Sequence, residues 1–429
     1  MIRKLFNNGK NQTTFALGAV FLAVICNIIL ATQGINNSFV VSLAFLLLVS
    51  SLYRLNSSSV ATWARVFGVV SVIFGVLPWI GLSRLDYLDV ATQIALFATL
   101  AMGLNLVVGM VGLLDLGFIA FFAVGAYTWA ILGSSQLSEI WIGFAGLPGW
   151  SFFLVLPCAA ALAGGVGVLL GLPVLRVKGD YLALVTLGFG EVIRVLLNNL
   201  DKPINLTGGP RGIPSIHQPF AELATTVAQW SGIENYRLQA LAYYLLTVLI
   251  AFAAAWVFNR ISRSPIGWAW EAIREDEIAA QAMGIPRIRM KLLAFALGAS
   301  VSGMMGVVFA AKQTFISPDS FDFNQSIGIL AMVVLGGVGS LRGVVLGAAV
   351  MVILNVQVLK GFSSTLAALK ASGASFMGSS FTNWPPELEP SKYERLLFGL
   401  LVWWMMIYRP EGLLPAKRPI FIRDDNHVA

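Results

Sequence analysis

Charge is scarce in this chain, and where it gathers it raises a chemical question. Residues 270–285 read WEAIREDEIAAQAMGI and place Glu271, Arg274, Glu275, Asp276 and Glu277 within seven positions. Glu191 and Arg194 stand three apart in an apolar run, a spacing that puts them on one face of a helix. Neither set carries a hydrolytic signature. A nucleotide-binding loop needs G-x-x-x-x-G-K-[ST], because its backbone amides and lysine cradle the phosphates. The nearest run, Gly336-Gly337-Val338-Gly339-Ser340-Leu341-Arg342-Gly343, lacks the lysine and sits between two apolar segments, so it reads as a close helix–helix turn. No G-x-S-x-G, H-E-x-x-H or C-x-x-C occurs. His217 and His427 are far apart, and Cys26 and Cys158 fall inside apolar segments, so neither a metal site nor a disulfide framework is expected. The expectation is a chain with no catalytic residue and no cofactor of its own.

The elements around these residues are those of a membrane protein. Hydrophobic residues make up 57% of the 429 and charged residues 11%, with a mean hydropathy of +0.80. Soluble domains run nearer to about 45–50% apolar and about 25% charged. The 42 glycines suit close helix packing in a bilayer. A spanning helix needs about 20 mainly apolar residues. Candidates lie at 14–31, 38–53, 66–83, 90–110, 116–133, 151–173, 181–199, 239–259, 292–311, 326–340, 343–359 and 396–410. The pair 326–340 and 343–359 is close enough to be a re-entrant or broken helix. The expected fold is therefore an all-α polytopic bundle of about ten to twelve spans. The segment 14–31 follows a basic start but no convincing cleavage site, so it reads as a retained helix.

With a cytoplasmic N-terminus, roughly twice as many basic residues fall inside as outside. Both termini are then cytoplasmic, the net charge of +7 reflects basic inner loops, and residues 264–291 form a cytoplasmic loop. Two external segments are long. Residues 200–237 include the turn-rich string Thr207-Gly208-Gly209-Pro210-Arg211-Gly212, and residues 361–395 are rich in Ser, Gly and Ala.

In the cytoplasmic loop, Ser264-Pro265 opens a helical stretch and Gly284, followed by Pro286, ends it. Ile278, Ala279, Ala282 and Met283 form one apolar stripe; Glu277, Ala280, Gln281 and Gly284 lie on another face. Acids at the start of a helix oppose its dipole. A helix resting on anionic lipid is basic on its polar face. This one is acidic first, which favours a groove in another protein over a membrane surface.

Residues 277–285 resemble the acid-Ala-Ala…Gly loop of ABC importer permeases. The likeness extends to Gly103-Leu104-Asn105-Leu106-Val107-Val108-Gly109 with Gly112-Leu113-Leu114-Asp115-Leu116-Gly117, and to Phe121-Phe122-Ala123-Val124-Gly125-Ala126-Tyr127. It continues through residues 176–191, Thr207-Gly208-Gly209-Pro210, Val333-Val334-Leu335-Gly336-Gly337-Val338-Gly339-Ser340 and Arg409-Pro410-Glu411-Gly412-Leu413. In this order they resemble branched-chain amino acid permeases of the LivM type, over roughly residues 85–415. Residues 1–84 are then an N-terminal extension with about three spans, and 416–429 a cytoplasmic tail. The 361–395 insertion is longer than that pattern.

The resemblance implies a multi-pass subunit of the bacterial inner membrane. It would pair with a second permease, two ATPase subunits that hydrolyse ATP, and an external binding protein. The coupling loop would comprise Glu271, Arg274, Glu275, Asp276, Glu277, Ala279, Ala280 and Gly284. Polar and small residues inside spans are candidates for the pathway or a gate: Asn105, Thr186, Gly188, Gly190, Glu191 and Arg194. For each, a structural role stands beside that one: an interhelical hydrogen bond for Asn105, close packing for Thr186 and the glycines, an ion pair for Glu191 and Arg194. A permease for urea or short amides, a self-sufficient secondary transporter and a membrane scaffold are the other readings.

Overall fold

The computed structural model describes residues 23, 69–139, 146–175, 180–202, 204–359, 363, 375–376, 379–380 and 393–415. The expected spans 14–31 (apart from Ala23) and 38–53, most of the 361–395 insertion and the 416–429 tail lie outside them, and so does most of the 1–84 extension.

Among the described residues the chain is almost wholly helical. In chain order come α1 (Leu77–Ser83), α2 (Leu85–Asn105), α3 (Ile119–Leu132), α4 (Phe152–Val174), α5 (Asp180–Asn199), α6 (Ala221–Ser231) and α7 (Asn235–Ser262). There follow α8 (Pro265–Glu275), α9 (Glu277–Ala282), α10 (Arg287–Gln313), α11 (Phe323–Gly336), α12 (Leu341–Val352) and α13 (Glu394–Tyr408). A two-residue antiparallel ladder pairs β1 (Ser375–Phe376) with β2 (Ser379–Ser380).

Among the described residues, five stretches are long and apolar enough to cross a membrane: Leu85–Val111, Gly149–Val174, Tyr181–Asn199, Asn235–Ser262 and Arg287–Gln313. At 27 residues, Leu85–Val111 is about 40 Å long, more than the roughly 30 Å hydrocarbon layer. The expected span 116–133 is shorter than anticipated, and 326–340 is short as its sequence suggested. Helices α3 and α11 hold 14 residues each, about 21 Å by the helical rise.

Burial sorts the helices. The most apolar window of Leu85–Val111 is 78% buried and that of Tyr181–Asn199 only 22%. So α2 is central, and α5 lies on the outside with Tyr181, Leu184, Val192 and Val195 exposed. Central α10 packs against α3 and α4 through small residues. A Cβ on Gly125 would collide with the Gly303 backbone, and one on Gly306 with Phe122 carbonyl oxygen. Apolar helices gain nothing from water exclusion inside lipid, so backbone approach of this kind carries the packing.

The expected helix–helix turn is a tight antiparallel hairpin of α11 and α12. A Cβ on Gly336 would strike the Gly343 carbonyl, and one on Gly347 the Met332 carbonyl. The segment after α13 closes over its tip: Leu413 N–H donates to Leu335 O at 2.9 Å and Leu414 N–H to Gly336 O at 3.0 Å. Gly412 (φ +83°) lies against Gly337 (φ +116°), where a side chain on either would meet the other strand of backbone.

At the opposite end of the bundle the Thr207–Gly212 string makes the turns its glycines suggest. Ile213 pairs with Ile316 between α10 and α11, and Thr207 Oγ1 donates to Leu197 O at 2.7 Å, tying the string to α5.

Candidate functional site

The charged loop folds as two short helices. Pro265 sits in the first turn of α8, where its missing N–H costs nothing. Asp276 leaves the helix in an extended conformation (φ −154°, ψ 110°) and caps α9. Its Oδ1 accepts from Ile278 N–H at 2.8 Å and Ala279 N–H at 3.0 Å, satisfying two amides that the first turn leaves free. The pair is fastened to the bundle by Trp270, fully buried, whose Nε1–H donates to Met290 O at 2.8 Å. Gly284 has φ +85°, a value that side-chain-bearing residues rarely adopt, and ends the loop as expected.

Glu277 turns inward. Its Oε1 accepts from Arg287 at 3.1 Å and its Oε2 from Lys291 at 2.7 Å. Burial alone would raise this carboxyl; Lys291 and Arg287 outweigh it and hold the pKa below the usual carboxylate range. Lys291 is itself nearly buried, at 8% side-chain exposure, so Glu277 neutralises a charge that water barely reaches. Ala280, expected within the coupling loop, is 3% exposed and lies on the side of α9 that packs into the bundle core.

The apolar stripe has the opposite character. Ile278 is 75% exposed and Met283 84%, and Ala279 and Ala282 are exposed beside them. Glu271 and Glu275, on α8, are also exposed.

Arg274 reaches back into the bundle. Its Nη1–H donates to the carbonyl of Gly109, in the π-helical stretch Leu106–Val111 that continues α2. Asn105 meets the same place from within: 1% exposed, its Oδ1 accepts from Gly339 N–H at 2.8 Å. Any side chain on Gly109 would strike both Asn105 Oδ1 and Gly339 N. The end of α2, the tip of the α11–α12 hairpin and α8 therefore join at one glycine. Of the two roles expected for Asn105, the geometry gives it the interhelical hydrogen bond.

Between α2 and α3, residues 112–118 leave the helix but stay largely buried. Irregular backbone is stable at such depth only where protein supplies partners. Here Thr186 Oγ1 accepts from Leu116 N–H at 3.0 Å, Asp115 Oδ1 from Gly117 N–H at 2.9 Å, and Ser326 Oγ from Ile119 N–H at 3.3 Å. Gly117 lies flat on α5: a Cβ there would strike Thr186 O, and Gly190 packs against it. Thr186 and Gly190 thus serve close packing, while Gly188 faces open space.

Glu191 and Arg194 do pair, at 3.6 Å, but Arg194 is held more closely by Asp319 at 2.8 Å, from the α10–α11 connection. All three are at least a third exposed or nearly so, with side-chain exposures of 40%, 32% and 78%. Asp319 could not be anticipated, because its partner is 125 residues distant. Asp115 carries a visible signal in the sequence: it is the sole charged residue between positions 90 and 138.

A helical bundle with central discontinuous helices, a backbone-packed hairpin and a small amphipathic helix pair docked at one end defines a polytopic membrane permease. The chain belongs to the family described as branched-chain amino acid transport system / permease component, whose family model matches residues 86–406. It is 38% identical over 363 residues to the high-affinity branched-chain amino acid transport system permease protein LivM of Escherichia coli, covering 82% of this chain and 75% of that one. The probable LivM of Methanocaldococcus jannaschii is 26% identical over 357 residues, 81% of this chain and 94% of its own length. The E. coli permease LivH is 25% identical over 261 residues, 58% of this chain and 78% of its own. No solved structure matches the chain.

Proposed function

We propose that this chain is one permease subunit of an ABC importer that passes branched-chain amino acids across the bacterial inner membrane. ATP is hydrolysed in two separate subunits, a second permease completes the pathway, and an external binding protein delivers the substrate. Residues 85–415 are the permease core, which the family match over 86–406 supports. Both termini and the α8–α9 pair face the cytoplasm, as the distribution of basic residues favours.

The observation that carries this reading is the exposed stripe of Ile278 and Met283 on a helix otherwise locked to the bundle. A small helix held rigidly from behind, with apolar side chains outward and acids at its N-terminal end, suits a groove in another protein. Ile278, Ala279, Ala282 and Met283 would seat in a cleft of the ATPase, with Glu271 and Glu275 at its rim. Glu277, Asp276 and Gly284 would shape the helix, and Arg274 would tie it to α2.

The test is reconstitution of the purified chain with its partner permease, ATPases and binding protein in proteoliposomes. ATP-dependent uptake of labelled leucine, competed by isoleucine and valine, is expected. Uptake of urea or acetamide without uptake of leucine would overturn the substrate assignment.

A further inference from the structure

Helix α6 has no task in the importer reading. It stands at the end of the bundle opposite α8 and α9, because α7 runs from Asn235 to Ser262 between them. Its residues divide into three sectors of a helical projection. Ala221, Ala224 and Ala228 are its most covered residues and face the chain. Leu223, Val227 and Trp230 recur at i, i+4 and i+7 and are 59%, 49% and 90% exposed. Glu222, Thr225, Thr226 and Gln229 form the remaining flank and are exposed as well. A helix bathed in water over its whole free surface gains nothing by sorting that surface into an apolar and a polar flank. A helix at the boundary of two media does.

The surroundings identify the apolar medium. Phe220, the residue before α6, packs its ring on Phe152 and Phe153 in the first turn of α4, at centroid distances of 6.3 and 6.1 Å, and on Tyr243 of α7 at 5.1 Å. Phe153 and Leu154 are exposed on a helix long and apolar enough to cross a membrane, so they face acyl chains. The lipid-facing surface of α4 therefore runs directly into the start of α6. Trp150, exposed just before α4, and Trp230, near the far end of α6, are side chains that favour the headgroup boundary. Glu222 is the single charge in α6, against the cluster of acids ahead of α9, and α6 holds no Lys or Arg. It needs no attraction to anionic headgroups, because the chain on both sides, α5 before and α7 after, already holds it at the surface.

We propose that α6 is a membrane-interface helix, with Leu223, Val227 and Trp230 seated among the headgroups and upper acyl chains of phospholipid. Its axis slopes outward. Phe220 touches Tyr243, and the chain then returns to Asn235, about 12 Å nearer the end of α7. Leu223 is thus the deepest of the three, and Trp230 sits at the headgroups. The proposal depends only on α4 and α7 spanning the bilayer, whatever the cargo.

The experiment places single spin-labelled cysteines in the full chain in phosphatidylcholine nanodiscs, on a background of Cys26→Ser and Cys158→Ser. Molecular oxygen concentrates among acyl chains and a neutral nickel chelate in water. Labels at Leu223→Cys and Val227→Cys are expected to be relaxed more by oxygen than by the chelate, and those at Thr225→Cys and Gln229→Cys the reverse. The label at Trp230→Cys is expected to fall between the two sets and to be relaxed by a nickel-chelating headgroup lipid. Trp230 is so exposed that its replacement leaves the packing intact, so this variant decides the matter if another fails to insert. Relaxation of its label by the free chelate alone, or equal chelate access to both flanks, places the stripe in water and overturns the proposal. A stripe that neither reagent reaches, in the chain alone or after addition of partner subunits and loaded binding protein, is covered by protein, which also overturns it.

Discussion

Arg274 of α8 donates a hydrogen bond to the carbonyl of Gly109, 165 residues earlier, at the π-helical end of α2. This bond joins the helix pair at the end of the bundle to its most buried helix. A carbonyl in a π-helical stretch near a helix end is poorly served within its own helix, and a guanidinium is a strong donor to it. The bond brings α8 to the point where α2, Asn105 and the hairpin tip at Gly339 meet.

Arg274→Met keeps an unbranched stem against Gly112 and removes this donor. A hydrogen bond from a charged group contributes about 1.5–3 kcal/mol. The expected result is local: the Leu113 amide, which donates to Val107 O at 3.2 Å, exchanges with deuterium at least about tenfold faster. Unchanged exchange at residues 109–113 would remove the link from α8 to α2.

Glu277→Gln is expected to loosen α9 without unfolding the bundle. The variant leaves nearly buried Lys291 without its carboxylate partner. Glu277 is about a third exposed, so screening reduces the loss to about 1–2 kcal/mol, below that of a fully buried pair. The pH dependence has a definite sign. The folded pKa of Glu277 is depressed, so its contribution is complete above the unfolded value of about 4.3 and disappears as pH falls through the lower folded value. Hydrogen exchange of the α9 amides in wild type is expected to quicken in that acid window. The variant is expected to exchange fast at neutral pH already and to lose this pH response.

Gly343→Val tests the hairpin. Its Cβ would strike the Gly336 carbonyl, a backbone atom that cannot rotate away. Overpacking of this kind costs about 1–3 kcal/mol, and the rigid neighbour favours the upper figure. A lower Tm in detergent is expected, whereas Gly328→Val, where nothing stands within 4 Å, should leave Tm almost unchanged. Equal effects of the two would contradict the backbone packing described for α11 and α12.

Much of this architecture was legible because lipid imposes a simple rule. Long apolar runs such as 239–259 and 292–311 became α7 and α10, each extended by several residues beyond the apolar core. Chain breakers were legible too: Gly284 takes the positive φ that its position suggested. Lengths of short helices were not. Residues 116–118 read as helix by composition, yet Asp115 and Thr186 offer their amides another partner, and that contact lies 70 residues away. The stripe of Ile278 and Met283 followed from helical periodicity alone, but the inward turn of Glu277 depended on where α10 begins. Periodicity set Ala280 on a face apart from the stripe, but only packing shows that this face meets the chain's own bundle.

Docking of the apolar stripe of α9 into an ATPase supplied by another subunit is what the proposed importer requires. Its most direct test is the double substitution Ile278→Asp, Met283→Asp in the reconstituted complex. Both side chains are more than 70% exposed, so substitutions here are expected to cost at most about 0.5 kcal/mol of the chain's own stability. Two carboxylates facing an apolar cleft should weaken docking by several kcal/mol. Normal membrane insertion is expected, with leucine uptake reduced at least about a hundredfold and ATP hydrolysis that no longer responds to loaded binding protein. Full uptake with substrate-stimulated hydrolysis in the double variant would contradict it.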